Sequence, residues 1–131
     1  MAESDLHRRM KSLVTEDLEK EGYWMVEEPL FPPGEEVSWF GYRPDLFGVR
    51  AAPGSKDYVV VECETHPNMK RLLAKRFSTL SIQSELSHHC GVKKILAIPS
   101  GTLQCLDMGV RKEWEVWVIG IRNLMKIPML Y

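Results

Sequence analysis

Several things are scarce in this chain, and each scarcity excludes something. There are three cysteines, Cys63, Cys90 and Cys105. The count is odd and no pair forms a motif, so a disulfide framework is excluded and free, buried thiols are expected. No apolar run approaches the thickness of a bilayer. Residues 1–11 carry no apolar signal region, so a cytoplasmic protein with no membrane partner is expected. Positive charge is not in excess: the net charge is −1 and the pI about 6.4. Bulk charge therefore does not coat nucleic acid. Any such contact falls to local clusters, namely Arg8-Arg9-Lys11, Lys70-Arg71 with Lys75-Arg76, and Lys93-Lys94, each of which also reads as a solvated face. Zinc-type ligand pairs are missing too. His88-His89-Cys90 is a run of neighbours, and neighbours on a helix point about 100° apart. Repeats and low-complexity segments are absent.

What is present suits one globular domain. The 131 residues are 44% hydrophobic and 27% charged, enough for a single core. Leu6, Met10, Leu13, Val14 and Leu18 recur at helical spacing and predict an amphipathic helix over 3–21, capped by Ser4 or Asp5 and ended by Gly22. Asp17 falls at the margin of that stripe. Strands are predicted over 23–28, 43–50, 57–64, 93–98 and 114–121. The second and third are joined by a loop around Pro53-Gly54. Pro29, Pro32, Pro33 and Gly34 mark a rigid loop before Trp39 and Phe40, which pack on an edge or stack on a base. A long helix over 68–89 shows Met69, Leu72, Leu73, Phe77, Leu80 and Leu86 on one broad face. The segment 102–112 is ambiguous and has room for a short helix. The apolar tail after Arg122 needs a surface to pack on, its own domain or a second copy.

The order is α-β-β-β-α-β-(α)-β. Three early strands form an antiparallel meander, and the long helix returns the chain for a parallel pairing. The expected fold is therefore α/β, a mixed sheet of about five strands flanked by helices.

One stretch, 42–64, carries the chemistry. Asp45 follows Pro44, and Glu62 and Glu64 close the Val59-Val60-Val61 run. In a strand, residues i and i+2 share a face, so Glu62 and Glu64 share one, and Asp45 on the neighbouring strand has access to it. Converging carboxylates repel unless a cation sits between them. Oxygen donors without His or Cys point to Mg²⁺ or Mn²⁺. Acids at a strand end also occur simply because they reach water.

Pro44-Asp45 followed on the next strand by Glu62-Cys63-Glu64, between the two helices, resembles the PD-(D/E)XK nuclease superfamily, the restriction-endonuclease-like fold. The likeness in element order covers most of the chain. It implies a metal-dependent endonuclease acting on DNA, with Mg²⁺ or Mn²⁺ held by Asp45, Glu62 and the main-chain carbonyl of Cys63. It also implies that the metal polarises a phosphodiester and activates a water. The chain departs from the family pattern in two places. Glu64 stands where a lysine is usual; some members carry a glutamate there as metal ligand or base. Lys70, on the following helix, is the candidate substitute for the lysine. The first helix has Arg8, Arg9, Met10 and Lys11 where many members place a glutamate; Glu3, Asp5 and Asp17 are the nearest acids. Three readings follow: an active nuclease using Asp45, Glu62 and Glu64 with Lys70, a nuclease-like module that only binds nucleic acid or protein, and an ordinary α/β domain. For an active enzyme of this size, recognition of a DNA structure, or a homodimer formed through the C-terminal tail, is expected.

Overall fold

The structure, a computed structural model, describes residues 3–27, 44–67, 92–106, 108–121 and 123–129. Helix α1 spans Asp5–Lys20. Ser4 caps it: its backbone is extended and its hydroxyl accepts the His7 N–H at 3.1 Å. The other end closes in a Schellman motif. The Tyr23 N–H bonds the Leu18 carbonyl and the Gly22 N–H the Glu19 carbonyl, 3.1 and 3.0 Å. That turn requires a left-handed residue, and Gly22 supplies it at φ +95°. Tyr23 then tucks beside Leu18 in the core.

Among the described residues six strands form one sheet in chain order: β1 (Trp24–Glu27), β2 (Leu46–Ala52), β3 (Ser55–Cys63), β4 (Val92–Pro99), β5 (Glu115–Ile119) and β6 (Leu124–Ile127). The pairs β1/β2, β2/β3 and β5/β6 are antiparallel; β3/β4 and β4/β5 are parallel. This is the mixed α/β sheet expected, with one strand more. The extra strand is β6, built from the tail. Leu124 and Ile127 pack against the domain's own core clusters, so part of the tail's apolar surface is spent within the chain. Other bounds shift as well. β2 and β3 run up to a two-residue loop at Pro53-Gly54, so β2 ends two residues later and β3 starts two residues earlier than the predicted 43–50 and 57–64. Asp45 precedes β2 and Glu64 follows β3 rather than lying inside them. The ambiguous segment holds a 3₁₀ turn, Leu103–Cys105, and a short helix α2, Met108–Glu113. The predicted helix over 68–89, with Lys70, the basic pairs at 70–71 and 75–76 and the His88-His89-Cys90 run, lies outside the described residues, as do Trp39 and Phe40.

The sheet separates two apolar layers. On one face Met10, Val14 and Leu18 of α1 meet Leu46, Val59, Val61, Cys63, Ile95, Ala97, Trp117 and Ile119. On the other, Leu96, Ile98, Val116 and Val118 meet Leu106, Val110 and Trp114. The strict alternation of β3, odd residues toward α1 and even residues away, follows from the pleat. It puts Glu62 and Glu64 on the face opposite α1.

Two of the basic clusters are only partly surface: Arg8 and Arg9 are exposed, Lys11 and Lys94 are not. Lys11 is 2% exposed and Lys94 6%. Lys94 lies 4.7 Å over the Trp114 ring, and Lys93 pairs with Glu115 at 3.3 Å. Arg9 is bound to the carbonyls of Gly120 and Ile121. Lys93 and Lys94 lie over indole rings, which sequence charge alone does not reveal. Asp17, at the stripe margin, pairs with Lys126 at 2.7 Å.

The α1 stripe supports a graded prediction. Leu18 is fully buried and Leu6 39% exposed. Leu18→Ala is expected to cost about 2–5 kcal/mol and Leu6→Ala only about 0.5, measured by urea unfolding. Equal losses would mean that Leu6 is covered in solution.

Candidate functional site

The site forms where β2 begins and β3 ends. The β2/β3 register stops at Leu46↔Val61, so β2 offers no further ladder carbonyl to the end of β3. On its other side β3 is bonded to β4, with the Glu64 N–H donating to the Ala97 carbonyl at 2.9 Å. The Cys63 N–H therefore points toward β2, where Asp45 Oδ2 accepts it at 2.8 Å. A buried N–H needs an acceptor, and a charged oxygen makes a strong one. In a strand the N–H and C=O of one residue leave on the same side, so the Cys63 carbonyl is also directed to the Asp45 side.

Glu62 and Glu64 are buried, 1% and 2% exposed. Burial pushes the Cys63 thiol well up, and the charges of Asp45, Glu62 and Glu64 push it the same way. Cys63 is thus a buried, protonated free thiol, as expected, and three carboxylates lie close enough around it to act on it. Among the described residues, no group of three His, Cys, Asp or Glu forms a metal cage. The donors at the strand end are oxygens: two buried glutamates, Asp45 and a main-chain carbonyl. Such a set suits a hard cation, which takes one or two carboxylates and completes its shell with water and phosphate.

Sequence reasoning passed over His7, read Lys11 as part of a basic cluster, and named Glu3 only as one of the nearest acids. His7 on α1 lies with Nε2 3.5 Å from Asp45 Oδ2 and Nδ1 3.4 Å from Glu3 Oε1. Lys11, one turn on, bonds Glu3 at 2.8 Å and also Glu27 of β1. Burial pushes the Lys11 ammonium down, but its bonds to Glu27 and Glu3 outweigh that, and its pKa is raised. The bond to Lys11 holds the Glu3 carboxyl below its ordinary value, against a smaller contribution from burial. Glu3 itself, just before α1, is the acid that reaches this end of the sheet from the first helix. A signal for two of these was in the spacing: His7, Lys11, Val14 and Leu18 follow the helical repeat, on one side of the helix.

No protein-family model matches the chain, and no curated protein matches it. Two solved structures do. The chain is similar to an XisH family protein from Nostoc punctiforme, with a TM-score of 0.51 and 16% identity over 94% of this chain and 99% of that one. It is similar to an fdxN element excision controlling factor protein from Anabaena variabilis, with the same score and identity over 95% and 99%. At this identity the likeness is one of fold, a mixed α/β architecture consistent with the restriction-endonuclease-like fold.

The Glu3–Lys11 bond has a pH signature. The Glu3 carboxyl is held below 4.5 in the folded state, so its contribution is full above that value and is lost as pH falls through the lower, folded one. The difference in denaturation midpoint between wild type and Glu3→Gln is expected to shrink as pH drops from about 6 to about 3. A difference that stays constant would assign the effect to packing instead of charge.

Proposed function

We propose that this chain is a metal-dependent endonuclease that hydrolyses phosphodiester bonds in DNA. The observation that carries this reading is the bond from the Cys63 N–H to Asp45 Oδ2. It holds the aspartate that precedes β2 beside the acidic end of β3. Asp45, Glu62 and the Cys63 carbonyl would hold Mg²⁺ or Mn²⁺; among the described residues the Cys63 N–H and His7 both meet Asp45 at Oδ2, which would leave Oδ1 to the cation. When bound, the ion supplies Lewis-acid polarisation of the phosphodiester and a more acidic water. Glu64, two residues after Glu62 and also buried, takes the place of a general base or an added ligand. Lys70, outside the described residues, remains the candidate for the phosphate contact. The name of one structural neighbour concerns excision of an element, in keeping with a nucleic-acid substrate. Among the described residues no helix is long and apolar enough to cross a membrane.

A second reading has its own support. Glu64 lacks the positive charge of a lysine, and a cage of three ligating side chains is missing among the described residues. Both favour a nuclease-like module that binds nucleic acid or protein without cutting.

The readings separate in one assay. Wild type is expected to cleave at least one of supercoiled plasmid, linear duplex, single strand and four-way junction with Mn²⁺. Asp45→Asn should lower the rate by at least about a hundredfold, the upper end of what changes around a metal site cost. Folded wild type that cuts none of these, and is not stabilised by Mn²⁺, removes the enzyme and leaves the module. A homodimer would supply two sites for two cuts. Met125 and Met129, 52% and 40% exposed in and just beyond β6, are its candidate contact. Met125→Lys is then expected to lower the dimer fraction in sedimentation, and a wild type that is monomeric throughout removes the dimer.

A further inference from the structure

His7 lies one turn into α1 with its imidazole between two carboxylates, and its own N–H is fixed by the Ser4 cap. Its side chain is 20% exposed, against 18% for Asp45 and 27% for Glu3, so all three are largely sheltered. At 3.5 and 3.4 Å the ring's two contacts are longer than tight hydrogen bonds. Contacts of this kind commonly shorten when a ligand completes a site. A second observation points the same way: Glu3 Oε1 is buried and makes no hydrogen bond, yet it faces the ring nitrogen Nδ1. The other Glu3 oxygen is held by Lys11 at 2.8 Å. Glu3 is therefore anchored from one side and backs the imidazole from the other.

The effect falls on Asp45. A carboxylate held through one hydrogen bond still turns about its side-chain torsions, because terminal sp³–sp² torsions are broad. Here two groups on different elements meet the same oxygen: the Cys63 N–H from β3 and the imidazole from α1. Two contacts on Oδ2 fix which oxygen faces the protein, and so which one is left over. Partners of this outer kind orient metal-binding side chains.

We propose that His7 is a positioning residue. With Glu3 behind it, His7 holds Asp45 with Oδ2 on the Cys63 N–H and thereby reserves Oδ1 for the divalent cation. This rests on the cation site proposed above. His7 touches neither substrate nor cation; it acts through Asp45.

The test compares wild type, His7→Ala and His7→Gln by two measurements, solvent exchange of the Cys63 amide by NMR and Mn²⁺ affinity by calorimetry. His7→Ala is expected to speed exchange at Cys63 and to weaken Mn²⁺ binding about tenfold or more. In His7→Gln the side-chain amide keeps a donor for Asp45, and most of both effects should be recovered. Unaltered Cys63 exchange in His7→Ala overturns the proposal, and so does Mn²⁺ affinity that stays at the wild-type level. If His7→Ala does not fold, His7→Gln decides: near-wild-type values support the proposal, while a loss as large as that of Asp45→Asn overturns it. Wild type that takes up no Mn²⁺ overturns the cation site itself. That failure is distinct, because the Cys63 amide still reports whether His7 holds Asp45.

Discussion

A main-chain N–H at the end of a buried strand must find an acceptor. Cys63 meets that requirement with the Asp45 side chain, and much of this end of the molecule is arranged around it. β2 starts too late to offer a carbonyl, so the neighbouring strand contributes a carboxylate in place of a ladder partner. The arrangement has a structural justification of its own, since an unsatisfied buried donor costs about 1–3 kcal/mol. It also leaves a charge fixed at the rim of the sheet. Stability and the proposed chemistry therefore ask for the same residue at the same place.

Around that bond the fold concentrates acids in a way that burial alone would not favour. Glu62 and Glu64 are as buried as the valines before them, and carboxylates with so little water are retained only where something compensates them. On the α1 side Lys11 offsets Glu3 and Glu27. That network ties the start of the first helix to the end of β1, close to where β2 begins, since Glu27 pairs with Leu46. Helix, edge strand and acidic strand end are thus coupled through charge as well as through the apolar layer beneath them.

The fold was legible where periodicity is strong. The stripe on α1 and the valine run of β3 identified their elements, and Gly22 and Pro53-Gly54 marked turns that exist. Asp45 and the alternation of Glu62, Cys63 and Glu64 were readable because a pleat leaves no choice of face. What was not legible lay in long, amphipathic side chains. Lys11 and Lys94 read as surface charge, yet each buries its stem beside acids or an indole. For His7 the helical spacing gave only its side of the helix; its contact with Asp45 is remote in sequence and near in space, and spacing does not reveal it. The tail read as an apolar surplus because its partner strand, β5, precedes it directly, and a four-residue strand has too short a pattern to separate from loop.

The order of strands in space repeats their order in the chain. Among the described residues, no strand is threaded between two that were made before it. During synthesis each new strand meets an edge already present, and N-terminal units form first. The sheet grows from one side, and at each stage its open edge is the template for the strand that comes next. β6 then follows β5. Until it pairs, the five-residue edge of β5 stands open; β6 replaces it with a four-residue edge, and short edge strands are poor templates for edge-to-edge association.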